Sequence, residues 1–474
     1  MNMPSPPDHL PETLPQWLNW VEKLHPAEVE LGLGRVRAVA QKLGLVDCFK
    51  TNGVNVITIA GTNGKGSTAA TLERLACSSG LSVGCFTSPH FLRYNERIRI
   101  NGIEADDSII CAAFSAIEPH THVDPLTYFE YGTLAALQVF QQIGVELVIL
   151  EVGLGGRLDA VNIIDADLAI ITSIGIDHED WLGDSRELIG REKAGILRTK
   201  QRLVCSEPNL PNTVIELIDQ LQVRSFIKDS AFSLRQPPSA RSTDAYEWHG
   251  VSADDGSLVI PDLAKPSIPL ESVAAAIQAF ALLYPVKLTD EVVKSTLAGL
   301  TLPGRFFQVP NKPVILDVAH NPDAAAYLAS QLQQYLAPVP SKAADTTKTD
   351  ESNNTRKPRV IAVFAGMADK DIDGIVQALA ASIDFWFLAE LDLPRAATKK
   401  QLVKLFERQG INDYRTMRSV EFALIEAEAM LNDDDIILVF GSFFTAAAAI
   451  DAWGIGSLAE LTCTVGQHSL PKGR

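Results

Sequence analysis

The sequence predicts an α/β protein of two domains, each built on a buried parallel sheet covered by helices on both faces. Three observations carry this. Short, unbroken apolar runs such as VNVITIA (54–60) and VELVIL (145–150) alternate with segments of helical spacing. The rhythm breaks at Thr301-Leu-Pro-Gly-Arg305 and restarts beyond it. A chain of 474 residues is also longer than one hydrophobic core usually serves.

Taken in order, residues 54–60 read as a strand, followed by a glycine-rich turn and a helix over 67–79. A second strand spans 81–86. The apolar positions of 130–143 fall on one helical face, and strands are predicted at 145–150 and 166–174. From 228 to 256 the pattern is lost to polar, turn-forming residues, which predict a small β appendage or loop. An alanine-rich helix over 272–283 leads to the break, so the domains are predicted to cover 1–300 and 301–474. In the second domain, strands are expected at 313–318, 360–364, 385–391 and 436–440, with helices at 323–335 and 398–407. Residues 337–359 hold Val339 as their only large apolar side chain and predict a mobile surface insertion.

Composition narrows the function. Hydrophobic residues make up 46% and charged residues 21%, an ordinary globular balance. The net charge of −17 argues against nucleic-acid and anionic-membrane partners, which require basic surfaces. Six cysteines form neither a CxxC pair nor a zinc-like pattern, and they read as reduced thiols. Met1–Leu14 lacks a basic, then apolar, leader pattern, and no apolar run reaches the ~18 residues of a membrane span. A soluble, cytoplasmic protein is the expectation.

The strongest local signal is Ala60-Gly-Thr-Asn-Gly-Lys-Gly-Ser67, between a strand and a helix. Glycines let backbone N–H groups face an anion, the helix N-terminus adds a positive field, and Lys65 supplies a point charge for phosphates. The spacing departs from GxxxxGK[ST], because Ile59 stands where its first glycine would be and Gly66 follows the lysine. A glycine-rich turn with a chance lysine is the plain alternative. Glu151 stands just past the carboxyl end of the predicted strand 145–150, where α/β sheets place ligands and where a simple capping carboxylate could also stand. His178 lies among Asp177, Glu179 and Asp180, equally compatible with a solvated acidic turn, and Lys193 in REKAG could be a surface lysine.

AGTNGKGS resembles the nucleotide loop of the Mur-type amide ligases. Nine further stretches follow in the order of the folylpolyglutamate synthase and dihydrofolate synthase branch. These are TSPH (87–90), RYNERIRI (93–100), LTYFEYGTLAAL (126–137), LEVGLGGRLDAVN (150–162), TSIGIDHEDWLG (172–183), GREKAGI (190–196), LPGRF (302–306) and DVAHNP (317–322), with GSFFTAA (441–447) closing the set. The resemblance implies a P-loop-type ATPase domain and a smaller Rossmann-like α/β domain. It further implies ATP-dependent ligation of L-glutamate to dihydropteroate and to reduced folates, through an acyl phosphate.

Roles carry over by the same resemblance. ATP would be held by Thr62, Asn63, Gly64, Lys65, Gly66 and Ser67, with Arg305 and Asp317 from the second domain. Two magnesium ions are implied, one held by Ser88, Glu151 and His178, the other by Lys193 as a carbamate. A carbamate needs a neutral amine, so the Lys193 pKa should be lowered by burial or positive charge. The pterin would be met by Val29, Glu30, Leu31, Thr127, Tyr128, Phe129, Glu130, Leu158, Asp159 and Ala160, although Tyr128, Phe129 and Tyr131 could instead be core aromatics. Arg97, His320 and Ser442 would bind glutamate. Lys65, Lys193 and His320 are the expected catalytic residues. Val273 replaces the asparagine the family usually offers the nucleotide in IPLESVAAAIQAF, so adenine must be held differently. The alternatives are a Mur-type ligase with another acceptor, disfavoured by the short stretch ahead of the loop, and a non-catalytic ATP switch.

Overall fold

The computed structural model describes residues 10–25, 30–121, 125–237, 245–337 and 358–463. Most of the insertion expected at 337–359 lies outside the described residues, as does Val29. The chain divides into two compact units, Met1–Leu300 and Thr301–Arg474.

The first unit is organised by an eight-stranded sheet. Its strands are β1 (Asn55–Ala60), β2 (Val83–Phe86), β3 (Ile98–Ile100), β4 (Ile103–Glu104), β5 (Leu147–Glu151), β6 (Leu168–Ile171), β7 (Arg202–Cys205) and β8 (Arg224–Ile227). The order is β4-β3-β2-β5-β1-β6-β7-β8. From β2 to β8 all pairs are parallel, while β3 and β4 are antiparallel. The buried parallel sheet expected from the apolar runs is present, with an antiparallel hairpin added at one edge. β3 and β4 are too short to bury a continuous apolar run, so the signal that marks the central strands is missing there.

The central strands are wholly buried because helices cover both faces, notably Lys65–Ser78, Tyr128–Ile143 and Leu270–Leu283. The predicted helix over 67–79 starts two residues early, at Lys65, since Gly64 adopts a left-handed conformation (φ 87°) and the helix can begin directly after it. The turn-rich stretch near 228–256 forms an antiparallel three-stranded sheet of β9 (Ser233–Arg235), β10 (Ala245–Val251) and β11 (Ser257–Ala264). Trp248 anchors it, fully buried and donating from Nε1 to the Ala274 carbonyl (3.2 Å).

The second unit holds six strands: β12 (Phe307–Gln308), β13 (Val314–Leu316), β14 (Val360–Phe364), β15 (Phe385–Ala389), β16 (Tyr414–Met417) and β17 (Ile436–Phe440). Their order is β12-β13-β17-β14-β15-β16, parallel except for β12. Phe364, Trp386, Phe406 and Phe440 form its aromatic centre.

The entries of β14 and β17 are tied by Asp435. This buried carboxylate accepts from the Arg359 amide (2.9 Å), Arg359 Nη2 (2.6 Å) and Asn432 Nδ2 (2.8 Å). Burial alone would raise its pKa, but the bonds from Arg359 and Asn432 outweigh that and hold it below the usual 3.8. A depressed carboxylate stabilises above its unfolded pKa, and that stability is lost as pH falls below it. Asp435→Ala is expected to cost about 3 kcal/mol in urea unfolding, by leaving Arg359 and backbone donors unpaired. An unchanged unfolding midpoint would contradict this role.

Candidate active site

Strand β1 delivers the chain into the turn Gly61–Gly64. Gly61 (φ 155°) could carry no side chain, because a Cβ there would stand 1.8 Å from Thr172 Oγ1. The turn is clamped from the segment after β6. Thr62 Oγ1 donates to the Gly175 carbonyl (3.1 Å) and accepts from the Gly175 amide (3.0 Å). Thr172 Oγ1 donates to the Asn63 carbonyl (2.6 Å), and the Asn63 amide donates to Ser173 Oγ (2.9 Å). Ser272 Oγ, from the start of the helix Leu270–Leu283, donates to the Gly64 carbonyl (3.3 Å). Thr172, Ser173, Gly175 and Ser272 were not among the predicted site residues, although TSIG lies in a recognised stretch.

Lys65 opens the helix, and its Nζ donates to the carbonyls of Gly61 (3.0 Å) and Thr62 (3.3 Å). Close to it lie two buried ionisable groups. Lys193, near the end of the helix Arg186–Ala194, is 3% exposed. Burial, and then the charge of Lys65, push its pKa down to about 7 against the opposing pull of Asp177. Asp159 caps the 3₁₀ turn Ala160–Ile163 and accepts from the amides of Leu154 (2.9 Å) and Val161 (3.1 Å). Burial raises its pKa to about 7, although those amides and Lys65 pull the other way.

Glu151 is the last residue of β5 rather than the residue after it, buried, and accepts from the Ser88 amide (3.1 Å). A side chain at Gly66 would begin 3.7 Å from its Oε1, which sets the carboxylate against the start of the phosphate-loop helix. Ser67 Oγ is buried with no hydrogen-bond partner among the described residues. The Ser67 hydroxyl, the Glu151 carboxylate and the Ser88 hydroxyl offer the oxygen chemistry that fits a hard divalent cation. Among the described residues no group of three or more His, Cys, Asp or Glu forms a protein cage, so such an ion would retain waters or take phosphate oxygens. His178 is exposed, in a left-handed conformation (φ 55°), and its amide donates to Asp177 Oδ1 (2.8 Å) within an exposed acidic turn.

The segment assigned to the pterin forms the start of the helix Tyr128–Ile143. Thr127 caps it, and Glu130 Oε2 accepts from the Thr127 amide (2.8 Å) and from Arg35 Nε (2.8 Å). Arg35 also meets the exposed Glu30, so Glu30 and Glu130 are joined through it, a link with no sequence signal. Leu31 and Leu158 are half-buried, and Ala160 is buried. Tyr131 is core, whereas Tyr128 and Phe129 are half-buried, Phe129 packing on Phe86 (5.7 Å) and Tyr128 on Tyr94 (5.7 Å).

Arg97 lies in this first unit. Its Nε donates to His90 Nδ1 (2.7 Å), and its guanidinium stacks on the rings of Tyr94 (5.7 Å) and Tyr128 (5.6 Å). Burial and the charge of Arg97 push the His90 pKa down to about 4.

In the second unit Asp317 is buried, accepting from the amides of Phe306 (2.7 Å) and Ala319 (2.8 Å), and burial raises its pKa against Arg305 and His320. The Arg305 guanidinium stacks on Phe443 (5.4 Å), and the His320 ring lies 6.4 Å from the same side chain. Ser442 Oγ caps the following helix by accepting from the Thr445 amide (3.0 Å). Arg305 and His320 thus meet at Phe443, which was not predicted, while Asp317 feels the charges of both and Ser442 directly precedes Phe443 in the chain.

A phosphate loop on one α/β sheet, followed by a second α/β unit, is the organisation of a Mur-type ligase. Residues 59–209 match the Mur ligase middle domain, and residues 304–443 match the Mur ligase, glutamate ligase domain. The chain is 38% identical to the dihydrofolate synthase/folylpolyglutamate synthase of Escherichia coli strain K12, across 92% of this chain and 95% of that one. It is 35% identical to the Haemophilus influenzae enzyme of the same name (92% and 96%). Escherichia coli FolC in complex with DHPP and ADP superposes with a TM-score of 0.80 at 37% identity, covering 94% of this chain and 98% of that one. The Yersinia pestis bifunctional enzyme complexed with AMPPNP and Mn ion gives 0.80 at 38% identity (94% and 98%). The chain belongs to the dihydrofolate synthase/folylpolyglutamate synthase family of Mur ligases.

Proposed function

We propose that this chain is an ATP-dependent carboxylate–amine ligase that joins L-glutamate to dihydropteroate, forming dihydrofolate, and to the γ-carboxylate of reduced folates, forming polyglutamates. The observation that carries this is a phosphate loop whose Lys65 acts on a buried Lys193 with a pKa near 7, in a chain of this family. The first unit handles ATP and the pterin. Arg305, Asp317, His320 and Ser442 of the second unit serve ATP and glutamate.

The acceptor carboxylate attacks the γ-phosphorus of ATP, ADP leaves, and an acyl phosphate forms. The α-amine of glutamate then attacks the acyl carbon, loses a proton, and phosphate departs as the amide forms. Lys65 and the loop amides hold the phosphates and oppose the charge that builds on the transferring group. Phe129 offers an aromatic face to the pterin, and Arg97 offers a cation to a glutamate carboxylate. Magnesium, held by Ser88, Glu151, His178 and Ser67, would supply charge neutralisation at the phosphates. A Lys193 carbamate would hold a second ion. The protein is proposed to work as a cytoplasmic monomer. In support, five described cysteines are free thiols, and no described helix is long and apolar enough to cross a membrane.

ADP release should require glutamate and Mg-ATP together with dihydropteroate or tetrahydrofolate. Absence of release with both acceptors would refute the reading.

A pH prediction follows from Lys193. Its pKa is lowered to about 7, so the CO₂-reactive amine gains population as pH rises through that value. In CO₂-depleted buffer, activity restored by bicarbonate should increase between about pH 6 and 8, with a carbamate signal from ¹³C-bicarbonate that Lys193→Leu lacks. Full activity in depleted buffer without that signal would exclude the modification.

A further inference from the structure

We propose that His90 is the positioning residue for Arg97, holding its guanidinium so that both terminal nitrogens face a ligand carboxylate. The inference rests on the ligase reading and deepens it at the glutamate-recognition step.

Most guanidinium groups of the first unit are spent on protein carboxylates. Arg35 meets Glu130, Arg99 meets Glu73, Arg157 meets Glu192, Arg198 meets Asp165 and Arg224 meets Asp255. Arg97 differs. Its side-chain neighbours are an imidazole and two phenol rings, and among the described residues its one side-chain hydrogen bond runs from Nε to His90 Nδ1 at 2.7 Å. That bond fixes the histidine tautomer, because Nδ1 must be the unprotonated acceptor and the ring proton must lie on Nε2. It also fixes the guanidinium. With Nε committed and the plane packed against Tyr94 and Tyr128, the group keeps one orientation, and Nη1 and Nη2 stay uncommitted as a planar fork matched to a carboxylate.

The mount is rigid. Tyr94 is buried, stands edge-on to Phe114 (6.0 Å) and Tyr128 (5.7 Å), and Phe114 packs on the buried Trp17 (5.8 Å). The His90 ring is itself edge-on to Tyr94 (6.0 Å). A half-buried cation without a protein carboxylate is costly unless a ligand supplies one, and pre-orientation lowers the entropy lost when it does. An acidic residue at position 90 would have neutralised Arg97 and competed with the ligand. A neutral acceptor orients the cation without cancelling its charge.

The test compares His90→Leu, which removes the acceptor, with His90→Asn, whose amide oxygen lies near the position of Nδ1. Initial rates are measured with dihydropteroate while glutamate and ATP are varied separately. His90→Leu is expected to raise KM for glutamate about tenfold or more, with KM for ATP within about twofold, and His90→Asn to recover most of that loss. Equal glutamate KM values in wild type and His90→Leu, or a loss that falls on ATP instead, would overturn the proposal. A readout independent of turnover is the ¹⁵N spectrum of histidine-labelled protein. Nδ1 of His90 should appear as an unprotonated acceptor whose resonance moves in Arg97→Ala, and a protonated Nδ1 would also overturn it. A wild-type enzyme without ligase activity would count against the function proposed above, whereas the tautomer reports on the His90–Arg97 contact alone.

Discussion

Lys65→Met is expected to lower kcat/KM for ATP about a thousandfold, equivalent to ~4 kcal/mol of lost transition-state stabilisation. Two losses compound. The substitution removes the point charge at the start of the phosphate-loop helix. It also removes the positive neighbour that helps depress Lys193, whose pKa should climb back toward the ordinary lysine value. Less neutral amine then remains at neutral pH, so carbamate occupancy should fall with the rate. Methionine keeps the apolar stem, which separates charge from packing. ADP release and the ¹³C carbamate signal measure the two effects separately. A variant within tenfold of wild type would show that Lys65 does not carry the phosphate charge.

The second large effect concerns a residue with no side chain. Gly61→Ala places a methyl carbon 1.8 Å from Thr172 Oγ1 and 3.2 Å from the Ser173 amide nitrogen, at a φ of 155°. Thr172 cannot simply turn away, because its hydroxyl donates to the Asn63 carbonyl, and the Ser173 carbonyl accepts from the Thr62 amide. Relief must come from the turn itself, which displaces the amides that would face phosphates. ATP affinity should drop at least about tenfold and kcat/KM a hundredfold or more. The double variant Gly61→Ala/Thr172→Ala should recover part of the affinity, since the closest clashing atom is gone. Undiminished nucleotide binding by Gly61→Ala in calorimetry would show that the turn tolerates the methyl and that its shape matters less than argued.

What the chain announces about itself differs by feature. β14 and β17 coincide with their predicted bounds, because buried parallel strands are unbroken apolar runs and need no partner to be recognised. β3 and β4 went unread although Asn101-Gly102 between them is a strong hairpin signal, and both residues adopt positive φ (53° and 79°). The stretch reads first as a family motif, and its Arg99 interrupts the apolar pattern by reaching inward to Glu73 (2.8 Å). Within the site, Lys65 and Glu151 were legible because a turn and a strand end announce them. His90, Arg35, Thr172 and Phe443 were not, since each works through a partner that local pattern does not name. Phe443 is the clearest case. GSFF shows two phenylalanines and no sign that one stacks on Arg305 while Phe444 remains exposed.

The clamps on the phosphate loop also bear on how the protein comes into being during synthesis. Thr172 closes onto a residue 109 positions earlier, and Ser272 onto one 208 positions earlier. When the loop leaves the ribosome it lacks both partners. The fully clamped loop is therefore complete only after the helix Leu270–Leu283 has been made, so its final shape belongs to the late part of synthesis.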